Sequence, residues 1–369
     1  MKTTGSSDVK YLAGLLMTGI AVIAAWSCYD RPASTSPTLR RPSPAYEPRQ
    51  EYLDTSGVPS IVSSIQPWGA EASLEDVGNI WRRIGYRLID QVDRELADPK
   101  ATDQERVAGR MKKAVLYNFE GEPKQAYRVL ERLRLQLSHH NSWAQKGLYT
   151  VIFYQGVTAL RQGENENCIL CRGESSCILP ISSAAVHKNP EGSRLAIRHF
   201  TEYLARFPDD LAVQWLLNLA HMTLGEYPGG VDPQFLISLD HFQREELDIG
   251  AFRDIGHVVG LNRFNQAGGG IMEDFDNDGL LDIVVTTMDP TGPMGFYRND
   301  GKGRFQNCSD TAGLEGQLGG LYCVQTDYDN DGYKDVLIVR GAWLRSPIRP
   351  TLLRNNHDGT FTDVTVEAG

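Results

Sequence analysis

The chain is poor in what a nucleic-acid binder or a common hydrolase needs. Its 37 lysines and arginines are outnumbered by 47 acidic residues, giving a net charge of −10. No basic patch interleaved with aromatics occurs, which argues against a phosphate-binding surface. Neither H-E-x-x-H nor G-x-S-x-G is present, so two of the best-marked catalytic classes are missing. The glycine run of "AGGGIMED" (Ala267–Asp274) lacks the Gly-Lys-Ser/Thr ending of a phosphate loop, and we read it as the lead-in to a strand. His139-His140-Asn141 falls at a helix end with no partner that would make it a site. The sequence has only six cysteines, which excludes a disulfide-dense scaffold. No acid–base constellation stands out, so the chain reads as a non-enzyme.

What is present begins with an export signal. Lys2 and Lys10 precede an uncharged run, Tyr11–Trp26, of sixteen residues. That is short of the roughly 18 to 20 residues of a comfortable membrane span and suits a signal-peptide core. Ala25-Trp26-Ser27-Cys28 resembles a bacterial lipobox, which makes Cys28 a lipidation candidate, although Trp26 fits that pattern poorly. A cleaved signal, a lipid anchor or an uncleaved anchor all place the bulk outside the cytoplasm, at the cell envelope. Residues 29–70 carry seven prolines and read as an extended tether.

Residues 71–250 turn to the helical period. Val77, Ile80, Trp81, Ile84, Leu88 and Val92 form one apolar stripe. Gly121 and Pro123 split "RMKKAVLYNFEGEPKQAYRVLERLRLQL" into two helices. Ala114, Tyr117, Gly121, Ala126, Leu130 and Leu133 fall where a tetratricopeptide (TPR) repeat packs small and large residues, and this unit resembles one. Ala196, Phe200, Pro208, Leu217 and Gly225 give a second partial match, and a third first-helix candidate ends at Gly163. Such a region offers a partner groove or serves as a helical spacer.

An insertion at 164–190 holds Cys168, Cys171, Cys177 and His187. Arg172 stands where a c-type haem motif needs histidine, so haem is rejected. In an exported protein a disulfide, Cys168 to Cys177, is the default expectation. A zinc site of three sulfurs and one nitrogen is the other reading.

The strongest signal is acidic. "DFDNDGLLD" (Asp274–Asp282) and "DYDNDGYKD" (Asp327–Asp335) place carboxylates at positions one, three, five and nine. These are Asp274, Asp276, Asp278 and Asp282, then Asp327, Asp329, Asp331 and Asp335. Carboxylates this close repel unless a cation sits among them. Gly279 and Gly332 free the backbone at position six, and the carbonyls of Leu280 and Tyr333 at position seven complete an oxygen shell. An oxygen-only site favours Ca²⁺ over Mg²⁺, so two calcium sites are expected. An EF-hand is excluded, because Val285 and Ile338 stand where it needs glutamate, and strands rather than helices follow.

The loops sit inside a longer repeat. "FRDIGHVVGL" starts at Phe252, "FQNCSDTAGL" at Phe305 and "FTDVTVEAG" at Phe361, offset by 53 and 56 residues. "FYRNDGKGRF" (from Phe296) and "LLRNNHDGTF" (from Leu352) lie between them. Loop, hairpin and closing string together resemble the FG-GAP/VCBS repeat, which builds blades of integrin-type β-propellers. The resemblance implies two complete repeats and a truncated third over residues 251–369. Together with the export signal, the TPR-like helices and the cysteine insertion, the chain resembles bacterial proteins similar to cartilage acidic protein 1, the CRTAC family. Those carry more blades, so an incomplete propeller within a longer protein is expected.

The expected fold is therefore multidomain α + β, a TPR-like helical domain followed by propeller blades. The expected role is a calcium-binding scaffold or interaction protein with a protein or carbohydrate ligand, held at the membrane by its amino terminus. Two alternatives are an enzyme or accessory acting on polysaccharide through blades outside this chain, and a surface adhesion protein.

Overall fold

The structure, a computed structural model of the chain, describes residues 46–50, 54–69, 71–138, 141–168, 179, 181–242, 253–263, 265–341 and 347–369. The export signal, Cys28, Cys171 and Cys177 lie outside the described residues. Among the described residues no helix is long and apolar enough to cross a membrane.

A helical part comes first: α1 (Val58–Ser64), α2 (Leu74–Trp81), α3 (Ile84–Ala97), α4 (Asp103–Phe119), α5 (Pro123–Ser138), α6 (Asn141–Asn167), α7 (Glu191–Leu204) and α8 (Leu211–Met222). From α3 to α8 each helix packs against the next in sequence. The caps follow from local chemistry. Ser73 with Asp76, and Thr102 with Glu105, form reciprocal capping boxes that satisfy the first free amides of α2 and α4. Gly121, at φ 76°, lets the chain leave α4, and Pro123 opens α5.

Helix α6 buries Val151, Ile152, Phe153, Tyr154, Val157, Ala159 and Leu160, with Gln155 and Thr158 buried beside them, so its middle is covered on every side, and it lies between α5 and α7. Ala114, Ala126, Leu130, Leu133, Ala196, Phe200 and Leu217, read above as repeat packing positions, all sit in this core. Close approach is set by glycine. A Cβ on Gly192 of α7 would lie 2.4 Å from the amide nitrogen of Gly163 and 2.6 Å from the carbonyl oxygen of Ala159.

Several boundaries differ from the sequence reading. The stripe from Val77 to Val92 is two helices, broken where Arg83 takes a left-handed φ of 54°. Helix α6 continues past Gly163 to Asn167, so the insertion starts one turn later. The tail of the expected tether belongs to the fold. Arg49 pairs with Asp210 at 2.8 Å, Glu47 N donates to Gln145 O, and Ile61 of α1 is fully buried. Proline at the start of α1 helps the helix, since its missing N–H is needed nowhere there.

After a short helix α9 (Gly256–Val259) come two antiparallel meanders. The first is β1 (Gly270–Glu273), β2 (Asp282–Val285), β3 (Gly295–Asn299) and β4 (Phe305–Asn307). The second is β5 (Tyr322–Thr326), β6 (Asp335–Val339), β7 (Thr351–Asn355) and β8 (Phe361–Asp363). The string at Phe361, read as the opening of a third repeat, is the outer strand of the second sheet, paired with β7. Within the string that starts at Phe252, Gly256–Val259 form α9.

The two sheets share one core: Ile271, Phe275, Val284 and Phe296 from the first meet Cys323, Val336, Ile338, Leu353 and Phe361 from the second. Phe275, Phe296 and Phe361 meet edge to face, the preferred arrangement for aromatic quadrupoles. The glycine lead-in to β1 serves the same contact, because a Cβ on Gly269 would fall 2.5 Å from the backbone nitrogen of Cys323. Helices and sheets also touch. Trp68 donates its indole N–H to Pro347 O at 3.0 Å, and Ile348 joins the core of α1–α3.

Two outcomes test this packing. Gly192→Ala should destabilise the chain by about 1–3 kcal/mol, because backbone and not a movable side chain meets the added methyl; urea denaturation measures it. Burial, helped by Arg134 and Arg198, pushes His199 down to about 4, while Tyr127 OH pairs with its Nε2 at 2.7 Å. A depressed imidazole pKa gives stability that is present above the unfolded value and lost as pH falls toward the folded one. Stability should therefore fall between pH 6.5 and 4, by up to on the order of 3 kcal/mol from this group, read as a falling melting temperature. The slope should flatten in His199→Gln.

Candidate metal centres

Each acidic loop connects the first two strands of its sheet, β1 to β2 and β5 to β6. The backbone turns through left-handed residues at Asn277 (φ 58°) and Gly279 (φ 84°), and again at Asn330 (φ 58°) and Gly332 (φ 90°). Asparagine tolerates that region better than other side chains, which explains Asn-Asp-Gly in both copies. The first aspartate ties the turn: Asp274 accepts Asp278 N at 3.1 Å and Gly279 N at 2.9 Å. Asp327 accepts Gly332 N at 3.2 Å. At position seven, Leu280 N donates to Asp278 and Tyr333 N to Asp331, both at 2.9 Å.

Among the described residues two groups of carboxylates converge: Asp274, Asp276 and Asp278, and Asp327, Asp329 and Asp335. In each group one oxygen per residue lies within 4.8 Å of the others, a spacing that a cation can bridge. The groups are not copies. Position five contributes in the first loop and position nine in the second.

Position nine is the anchor of both loops. Asp282 is 1% exposed and accepts Asn299 N at 2.8 Å. Asp335 is fully buried, accepting Asn355 N at 2.8 Å and Tyr328 N at 3.1 Å. Burial raises both carboxyls above their usual range, with the charges of Asp278 and Asp274, or Asp329 and Asp331, acting in the same sense. Asp282 Oδ2 and Asp327 Oδ1 are buried without a hydrogen-bond partner. An orphaned buried carboxylate oxygen carries a desolvation cost that a bound cation removes, so the donor set fits a hard metal ion.

Position five differs through neighbours that sequence reasoning missed. Arg298 on β3 pairs with Asp276 and reaches Asp278 at 3.9 Å. In the second loop His357 bonds Asp331 at 2.5 Å and stacks on Tyr333 with ring centroids 4.0 Å apart. The signal was available, since Arg298 and His357 lie in the two hairpin strings set opposite the loops. Asn355 was missed too. Its side chain donates to Phe275 O at 2.7 Å and Lys334 O at 3.1 Å, so it links the first loop to the second sheet. Asn277 adds a bond to Gly332 O at 3.3 Å.

Of the cysteine set, Cys168 and His187 are described and adjacent, with Sγ and Nε2 at 3.4 Å. The disulfide expected with Cys177 lies outside the described residues.

Comparison with known proteins gives one family match, to an FG-GAP-like repeat, over residues 274–338. The match runs from the first acidic loop to β6, covers a minority of the chain and includes both carboxylate groups. No curated protein and no solved structure matches the chain.

Asn355→Ala should cost about 1–3 kcal/mol, because Phe275 O and Lys334 O lose their donor. Asn356→Ala, whose bonds are local to the hairpin, should cost a few tenths. Thermal denaturation of the two variants separates them.

Proposed function

We propose that the chain is a calcium-stabilised, non-catalytic interaction scaffold of the cell envelope. In this reading the two meanders are blades of an integrin-type propeller and the helices are TPR-like. Each acidic loop takes one Ca²⁺, through Asp274, Asp276 and Asp278 or through Asp327, Asp329 and Asp335. Asp282 in the first loop and the carbonyls of Leu280 and Tyr333 add to the shells, while Asp331 stays with His357. The observation that carries the reading is the pair of buried, partnerless oxygens, Asp282 Oδ2 and Asp327 Oδ1, beside three convergent carboxylates in each loop.

Oxygen donors on a flexible loop suit calcium, whereas magnesium demands a near-ideal octahedron and keeps its waters. With the ion bound, the position-nine aspartates stay charged at no penalty and the hairpins are held rigid. A rigid sheet edge and a helical groove then present a surface to a protein or carbohydrate ligand. The FG-GAP-like match supports an interaction role. The amino-terminal signal supports export and tethering to a membrane.

The full chain, stripped with chelator and returned to millimolar Ca²⁺, should melt at a higher temperature. Each filled site adds about 2.7 kcal/mol when free calcium is a hundredfold above Kd. Asp274→Ala and Asp327→Ala should each remove one site in calorimetric titration. Binding heat that is absent in the wild type, with an unmoved melting temperature, would sink the metal assignment.

A further inference from the structure

Residues 46–50 form neither helix nor strand, yet they sit on a defined strip made by α6, the end of α7 and the turn into α8. Two side chains go in: Tyr46 meets the Tyr149 ring edge-on at 5.3 Å with Arg206 5.7 Å from its own ring, and the Arg49 guanidinium lies 4.8 Å over Phe153. Glu47, Pro48 and Gln50 stay exposed. The backbone is held as well. Glu47 N donates to Gln145 O at 2.8 Å and Arg49 N to the Tyr203 hydroxyl at 3.2 Å, while Pro48 between them has no N–H to satisfy.

The receiving side is built without this segment. Asp210 caps α8 by accepting Val213 N at 3.2 Å, and it accepts the Tyr203 hydroxyl at 3.0 Å. Tyr203 itself is fully buried. Both groups therefore keep their positions whether or not Arg49 is there, the preorganisation that favours a ligand. Onto this fixed carboxylate Arg49 places two bonds, Nε to Oδ2 at 2.8 Å and Nη2 to Oδ1 at 3.1 Å, a fork that arginine makes and lysine does not. Farther along α6, Tyr154 and Arg161 hold the carbonyls of Asp54 and Thr55 separately, so residues 46–50 can leave without pulling the chain off the helices.

We propose that this strip is a docking site for an extended segment of a partner protein, with an aromatic residue three positions before an arginine, and that Tyr46–Arg49 fills it in cis as a resident competitor. The inference rests on the reading of the helices as an interaction surface and gives that surface a ligand chemistry. A segment joined to its site by a short connection competes at an effective concentration in the millimolar range. The intact chain is thus largely closed to a free peptide, and a partner enters once residues 46–50 are drawn off.

The test uses the full chain in millimolar Ca²⁺ and a fluorescent peptide with the sequence of residues 43–50, read by anisotropy. Tyr46→Ala/Arg49→Ala, which empties the strip, should bind the peptide at least about tenfold tighter than the wild type does. A peptide with alanine in place of its arginine should lose binding. Asp210→Asn on the emptied chain keeps the helix cap and should weaken binding at least about tenfold. In the wild type, millimolar unlabelled peptide should speed amide hydrogen exchange over residues 46–50, measured by mass spectrometry. No binding to the folded, emptied chain, equal affinity for it and the wild type, indifference to Asp210→Asn, or unchanged exchange at 46–50 overturns the proposal. Melting of the same samples with and without Ca²⁺ reads the metal assignment separately, so the failure of either leaves the other standing.

Discussion

Asp282 and Asp335 sit at the first residue of a strand, inside the sheet, and accept the backbone amide of the strand beside them. This choice of anchor shapes the whole β half. It fixes the third strand of each meander against the second, and it buries a negative charge at the root of a loop already crowded with carboxylates. An apolar residue there would leave the amides of Asn299 and Asn355 unpaired. A charge placed there needs a counter-charge, because two or more ionised carboxylates a few Å apart in a partly dry site repel strongly. The left-handed Asn and Gly residues that fold each loop and the Arg298 guanidinium beside the first bear on that demand.

The two loops answer it differently. In the first, Arg298 lends a guanidinium to Asp276 and Asp278 from the adjacent strand. In the second, His357 takes Asp331 aside and leaves Asp327, Asp329 and Asp335 facing one another. Arg298 offsets part of the charge of the first cluster, whereas the second keeps three convergent carboxylates with no guanidinium paired to them among the described residues. Near-identical sequences thus give unequal sites, and the inequality resides in hairpin residues more than 20 positions away.

Local signals in the sequence were readable because their physics is local. The break at Gly121 and Pro123, the strands after each loop and the glycine lead-in to β1 follow from backbone preferences of a few residues, and the structure has each. Spacing alone led to four carboxylates in each loop; the structure brings three together in each, without Asp282 in the first and without Asp331 in the second. What stayed hidden was long-range. Arg83 turns left-handed inside an unbroken apolar stripe, which propensity disfavours and the packing of α2 and α3 imposes. Tyr46, Arg49 and Ile61 look like linker until Tyr149, Asp210 and the α3 core are there to receive them. The string at Phe361 matched two earlier strings, yet only strand pairing reveals it as the edge of the second sheet. Withdrawal of Asp331 toward His357 needs the hairpin folded over the loop before it exists.

Asn355 reaches across from the second sheet to the carbonyl of Phe275, next to the first carboxylate of the first loop. The two loops are therefore not free to wander separately. Anything that stills one removes part of the disorder that the other would otherwise surrender on its own, and the second ordering event is the less costly for it. A pair of turns that look like isolated beads along the chain would then respond as a unit, with a steeper dependence on whatever fills them than either would show alone.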